Sequence, residues 1–330
     1  MKQEKIDIVV LWVDGRDPEF IREKQMVTGK DEGSDHHIDS DMRYRDYGTF
    51  NNWFRMIEKH ASWVNKVFLI TNGQKPEWLN LNHPKLRLVT HKEFMPRDYL
   101  PTFNSAAIEL NLHRINELSE NYLYFNDDMY MIRDCKPSDF YKNGLPKLFA
   151  VYDAIVPWAP ITKTYLNNIE LIYRHFPNKA AMKASPWKFF NYRYGLRLFK
   201  NLVLLPWGPT GYVNPHLPVP MKKSTLAHLW KVEFETLDRT SKSQIRDYKV
   251  DVNQYICQNW QIESNQFYPI AHNIGKSIDF NRLDQLDRIF KDKHKKLLCV
   301  NDNVDLKEKD LLRFKQILDE RYPEKSDFEL

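Results

Sequence analysis

No uncharged apolar stretch in this 330-residue chain reaches the roughly 18 to 20 residues that a membrane-spanning helix requires. The opening segment MKQEKIDIVV has no long apolar core of the secretion-signal kind, so the chain is expected to stay in the cytoplasm. Cysteine is scarce: Cys135, Cys257 and Cys299 stand far apart. That spacing excludes a disulfide framework and a zinc ribbon, and the three thiols are expected to be reduced and structural. Charge of one sign is also in short supply, with 49 basic against 44 acidic residues and a net charge of +5. So mild an excess suits anionic substrates or an anionic membrane surface better than nucleic acid, which is not expected as a partner. Repeats of solenoid period and low-complexity segments are missing too.

What is present is an ordinary globular composition, 42% hydrophobic and 14% aromatic, long enough for a full α/β core with an added lobe. The runs IDIVVLWV, NKVFLITN (65–72), KLRLVTHK (85–92) and NYLYFNDD read as strands, the first of them covered on both faces. Between the first two, Phe50, Trp53, Phe54 and Ile57 recur at the spacing of a buried helical face. A second helix, starting near Asn104 or Ser105, carries Ile108, Leu112, Ile115 and Leu118. Such β-α-β alternation predicts an α/β fold with a doubly wound, mostly parallel Rossmann-like sheet, whose ligands bind beyond the carboxyl ends of the strands.

From about 135 to 230 the chain turns irregular and proline-bearing, as an inserted lobe would. Regular structure then resumes with a helix on Leu283, Leu286 and Phe290, the strand KKLLCV and a last helix on Leu311, Phe314 and Leu318. The expected division is 1–134 for a nucleotide-sugar-binding core, 135–260 for an acceptor and catalytic lobe, and 261–330 for a segment whose strand rejoins the first sheet. Residues 27–42, VTGKDEGSDHHIDSDM, read as a loop over the sheet's working edge. Its His36 and His37 among Asp35, Asp39 and Asp41 are either a metal cluster or solvated charge.

Two strands end alike, in YLYFNDDM (122–129) and LLCVNDNV (297–304), and IDIVVLWVDG (6–15) also ends on an acid. Carboxylates at a strand end can hold Mg²⁺ or Mn²⁺ and leave positions for diphosphate oxygens. Asp127, Asp128 and Asp302 are therefore candidate metal ligands, Asp128 foremost, since adjacent side chains on a continuing strand point to opposite faces. Trp12 and Asp14 offer an aromatic face and an acid for a base or ribose, or else a core ring and a turn residue. Arg43 and Arg45 near a helix start suit a phosphate, or Arg45 pairs with Asp46 at the surface. Thr102, Asn104 and Ser105 lie where free N–H groups favour an anion or a sugar hydroxyl, although N-capping explains Ser105 equally well. Glu109 and His113, four apart, read as a surface ion pair. His216, in YVNPHLPVPM, is an imidazole between prolines with the titration range of a general base. Arg246 by itself reads as a helix-surface cation. Finally, WKFFNYRYGLRLFK (187–200) interleaves aromatic and basic residues, as an interfacial membrane patch or as the packing of the lobe.

Taken in order, IDIVVLWVDGRDPEF, then the long stretch from RYRDYGTFNNWF through YLPTFNSAAIEL to NYLYFNDDMYM, then NPHLPVPMKKS onward through Arg246 to Trp260 and Gln261, and last KKLLCVNDN resemble the four successive blocks of the Stealth family. Those are bacterial capsular and cell-wall polysaccharide phosphotransferases, related to the animal enzyme that tags lysosomal glycoproteins. The resemblance implies a nucleotide-sugar transferase type of fold and the transfer of hexose 1-phosphate from a UDP-hexose to a glycan hydroxyl, with release of UMP and a divalent metal, Mg²⁺ or Mn²⁺. It further implies that Asp128 and Asp302 hold metal and diphosphate, that His216 and Arg246 are the catalytic histidine and the phosphate-binding arginine, and that Asp14 and Asn104 belong to the donor site. The long inserted modules of the animal enzyme are missing, so a glycan acceptor, lipid-linked or polymeric, is expected rather than a protein. A metal-dependent glycosyltransferase releasing UDP, or a non-catalytic carbohydrate-binding protein, would share the strand-end acids.

Overall fold

Apolar runs buried on both faces set the centre of the molecule, and in the computed structural model they are β1 (Ile6–Leu11), β2 (Val67–Thr71), β3 (Leu86–Thr90) and β4 (Asn121–Asn126). The structure describes residues 4–29, 44–302 and 306–330. Most of the loop expected over residues 27–42, with its two histidines and three aspartates, falls outside the described residues, as do Arg43 and Asn303.

The remaining strands are β5 (Met129–Met131), β6 (Tyr141–Lys142), β7 (Leu145–Leu148), β8 (Val219–Lys222), β9 (Tyr268–Pro269), β10 (Gly275–Asp279) and β11 (Leu297–Asn301). The main sheet runs β3-β2-β1-β4-β8, parallel from β3 to β4, with β8 antiparallel at the edge. Alternation along each strand divides its side chains between two cores. Ile8, Val10, Leu69, Leu123 and Phe125 face the helix Phe50–His60 and the C-terminal helix Glu308–Arg321. Val9, Phe68, Ile70, Tyr122 and Tyr124 face the helices Ser105–Asn111, Lys223–Val232 and Tyr255–Glu263. Helices thus cover both faces, as a doubly wound sheet requires. Because β1 pairs with β2 on one side and β4 on the other, the strand order reverses there, and a crevice opens beyond Leu11 and Asn126.

Two expectations are corrected. The C-terminal strand does not re-enter the first sheet: β11 pairs parallel with β10 and antiparallel with β5, in a separate three-stranded sheet. The cause is local, since the chain turns at Asp127 and Asp128 and β5 leaves β4 to meet β11. The strand that does join the main sheet is β8, which comes from the middle of the chain. The helix beginning at Ser105 stops at Asn111, where the Asn111 amide donates to Ala107 O and Ser241 Oγ, and a tight turn over Leu112–Arg114 follows. Ile115 and Leu118 stay buried beyond it.

The middle lobe has its own core of Phe149, Tyr152, Phe189, Tyr194 and Phe267. Of the aromatic-basic run 187–200, Phe189 and Tyr194 are buried there, whereas Trp187, Phe190 and Tyr192 are exposed. Among the described residues no helix is long and apolar enough to cross a membrane.

Candidate active site

A cavity of about 350 Å³ occupies the crevice at the carboxyl ends of β1 and β4. Among the residues that line it are Trp12, Arg45, Thr102, Ser105, Glu109, Asp127, Asp128, His216, Arg246 and Asp302, each of which the sequence singled out. They come from seven separate stretches of chain, and the pairing of β5 with β11 explains how the acids meet. Met129 lies opposite Cys299, so the Val300 N–H donates to Asp128 O at 3.1 Å and the end of β11 is held against the 127–128 turn. Asp302 follows directly. Since β4 has ended at Asn126, Asp127 and Asp128 both line the cavity.

Charge defines the floor. Burial first, then the neighbouring Asp128 and Asp46, pushes the Asp127 carboxyl well above the usual range. Burial likewise raises Asp128, against an opposing effect of His216. Asp128 Oδ1 is buried without a hydrogen-bond partner. Ligand atoms of Asp128, His216 and Cys299 lie within 4.8 Å of one another. Clustered acids with one oxygen unsatisfied fit a divalent cation that prefers oxygen ligands. Arg45 does not pair with Asp46; its Nη1 donates to Asp302 Oδ1 at 3.0 Å, while Asp46 accepts the Gly48 N–H. Tyr47, which the sequence did not suggest, lines the same floor, and burial with the charges of Asp128, Asp302 and Asp127 keeps its hydroxyl protonated.

His216 adopts a left-handed backbone, φ 48°, uncommon outside glycine. The Asn214 side chain fixes it by accepting the His216 N–H at 2.9 Å, and the ring Nδ1 lies 3.3 Å from Tyr255 Oη. Burial holds Tyr255 as a phenol, so the contact orients the imidazole without adding charge.

Opposite the acids, Arg246 is no free surface cation: Nη2 donates to Ser105 Oγ at 2.7 Å. Glu109 is not in a surface pair with His113 either. The helix turns it inward, where it is buried, lines the cavity and accepts from Tyr124 Oη at 2.8 Å. His113 is itself shielded, and burial followed by the Arg114 charge pushes its imidazole down to about 4. Burial also takes His91, another unforeseen lining residue, down to about 4, which keeps that ring neutral. The indole N–H of Trp12 is buried without a partner, and its ring stacks on Phe50 at 5.8 Å. Asp14 does not line the cavity; it accepts the Arg16 N–H at 3.0 Å beside the rim.

Asn104 does not line it either. Fully buried, it caps the helix by accepting the Ala106 N–H at 3.1 Å and donates Nδ2 to Asp251 Oδ2 at 2.9 Å. Asp251 also accepts the Asp247 N–H at 2.8 Å, so Asn104 and Asp251 together tie the Arg246 loop to the start of the helix. Burial pushes the Asp251 carboxyl up to about 6 from 3.8. The folded chain therefore keeps this proton where the unfolded chain has lost it. The group's stabilising contribution is complete below the unfolded value and is lost as pH rises through the folded one. Asp251→Asn keeps both acceptor contacts without the buried charge. Its Tm advantage over the native chain is expected to grow from about pH 4 to about pH 7, and a constant difference across thermal melts would contradict this.

A mostly parallel, doubly wound α/β sheet places the acid-floored cleft at its switch point, where proteins of this fold class bind their ligands. Residues 4–32 match the model of Stealth protein conserved region 1 and residues 43–148 that of conserved region 2. The chain is 60% identical over 196 residues to the capsular polysaccharide phosphotransferase CpsJ of Streptococcus thermophilus, covering 59% of this chain and 82% of that protein. It is 38% identical over 329 residues to the capsular polysaccharide phosphotransferase WcwK of Streptococcus pneumoniae, covering 98% of each. The exopolysaccharide phosphotransferase cps2G of Lactiplantibacillus plantarum is 36% identical over 98% of this chain and 96% of its own length. The chain belongs to the Stealth family of bacterial capsular polysaccharide phosphotransferases, and it is a transferase.

Proposed function

We propose that the protein transfers hexose 1-phosphate, as GlcNAc-, GalNAc- or Gal-1-phosphate, from a UDP-hexose to a hydroxyl of a polymeric or lipid-linked glycan. A phosphodiester of a capsular or related surface polysaccharide forms, and UMP leaves. The observation that carries this reading is the meeting of Asp128, Asp302, His216 and Arg246 on one cavity. The acceptor oxygen bonds to the β-phosphorus as the bond from that phosphorus to the bridging oxygen breaks, and the oxygen departs with UMP. His216 takes the proton of the acceptor hydroxyl, a role suited to an imidazole whose far nitrogen is oriented by a neutral phenol. Arg246, steadied by Ser105, holds the non-bridging oxygens of the moving phosphoryl group. Mg²⁺ or Mn²⁺ on Asp128 and Asp302, with Asp127 beside them, would supply positive charge against the donor diphosphate. The Trp12 N–H and the neutral His91 ring offer uncharged contacts to the nucleoside or sugar, and Glu109 with Tyr124 offers acceptors for sugar hydroxyls.

The test uses UDP-hexose labelled at its β-phosphorus with a primed glycan acceptor. Label is expected in the glycan, with one UMP formed per transfer. Release of UDP with the label still attached would replace this reading by glycosyl transfer, and no turnover with any donor would favour a carbohydrate-binding role.

A further inference from the structure

One short helix in the lobe is turned inside out. In Leu198–Val203 the polar Asn201 is fully buried, while Phe199, Leu202 and Val203 face outward, Val203 at 67% exposure. Asn201 is what fixes this orientation. Its Oδ1 accepts the Tyr152 N–H at 2.7 Å, and its Nδ2 donates to Ala150 O at 2.9 Å and Phe189 O at 2.8 Å. Three hydrogen bonds to the backbone of the lobe's core pin the helix through Asn201, which opposes rotation of the apolar face inward. The flanks continue the pattern, with Leu196 at 84%, Leu205 at 47% and Trp207 at 59% exposure.

The surroundings are as lopsided as the helix. Of the 19 large hydrophobic residues exposed among the described residues, 13 fall between Ala154 and Gly208, a span of 55 residues in a chain of 330. That same span carries eight lysines and arginines against one acid, Glu170, hence +7. With +5 for the whole chain, everything outside the span sums to −2. Arg193 and Arg197 punctuate the apolar face itself, Arg193 lying over the Tyr192 ring and Arg197 over that of Phe149, while Lys200 is paired with Asp153 at 2.7 Å.

We infer that the face made by Leu196, Phe199, Leu202, Val203, Leu205 and Trp207 docks on an anionic lipid bilayer. Apolar and aromatic side chains enter the headgroup boundary while the interleaved cations meet the anionic lipids, and each contribution strengthens the other. A protein partner or a second copy could cover the apolar residues, but a concentration of the molecule's positive charge around them matches a surface of uniform negative charge. The face also lies close to the proposed catalytic base along the chain. Eight residues after Gly208 comes His216, and a small cavity of about 60 Å³, lined by Ile155, Gly211, Asn214 and Tyr255, connects the lobe to the residues that hold the imidazole. Resting on the function proposed above, docking would deliver an acceptor held in the membrane, which favours the lipid-linked glycan as the substrate class.

The full chain would be floated with vesicles of neutral lipid alone and with vesicles containing anionic phospholipid, at low and high salt. Flotation is expected only with the anionic vesicles, with release at high salt. Leu202→Glu with Val203→Glu is expected to lose binding at least about 10-fold, and Arg193→Glu with Arg197→Glu to lose it as well. All four positions are exposed, so unchanged melting temperatures would accompany the loss. Transfer of labelled phosphate to a water-soluble acceptor should be unaltered in both variants, which separates failure of this inference from failure of the proposed reaction. No flotation of the native chain, flotation unchanged in the glutamate variants, or self-association through this face without lipid binding would each overturn it.

Discussion

His216→Ala is expected to lower kcat about 10³-fold, within the range that a positioned general base contributes, with the KM for the donor changed only a few-fold. The asymmetry follows from the proposed role. A base acts on the acceptor's proton as the phosphoryl group moves, so its removal raises the barrier without weakening the grip on the diphosphate. The backbone calls for a second variant. His216 sits at φ 48°, and alanine there is strained, whereas asparagine tolerates the left-handed region. His216→Asn should therefore show the same loss of turnover at an undiminished melting temperature, which rules out unfolding as the cause. Steady-state rates for both variants decide the matter, and near-native turnover in either would remove the base assignment.

Asp128→Asn should cost at least as much, about 10³-fold in kcat/KM, the scale of several kcal/mol that a metal supplies to charge stabilisation. The side chain keeps its shape but loses the charge that attracts a cation, and the rate should no longer respond to added Mg²⁺ or Mn²⁺. Stability is expected to move the other way. Asp128 Oδ1 lies buried with no partner, close to a second carboxylate that burial first and then the Asp128 charge push up, so a neutral amide relieves a cost borne by the fold. A higher Tm with abolished activity is the expected pair of results. Rates that still climb with metal in Asp128→Asn would show that this carboxylate is not a ligand.

The sheet was legible because continuous apolar runs such as IDIVVL and the 50/53/54/57 spacing are local signals, and burial on both faces follows from them. The acids were legible for a related reason: strands that end in NDD and NDN deliver carboxylates to the working edge whatever the rest of the chain does. What could not be read locally was pairing. Nothing in KKLLCV says that its neighbours are β5 and β10 rather than the first sheet, and nothing near Arg45 points to Asp302, 257 residues away. The partner of Asn104 was hidden for the same reason, since Asp251 lies 147 residues along. Glu109 was misread because the i, i+4 rule assumes a helix that continues to His113, whereas this one ends at Asn111 and sends the carboxylate inward. His91 and Tyr47 carried no signal beyond residue type, and only the closing of the cavity gives them a place.

The central claim is that carboxylates from the front and the back of the chain hold a single cation beside His216. The most direct measurement is a Mn²⁺ titration followed by electron paramagnetic resonance, with UDP-hexose present, on the native chain and on Asp302→Asn. A single ion bound per native chain, and bound at least about 10-fold more weakly by the variant, is the predicted result. Identical Mn²⁺ binding by the two proteins would contradict it.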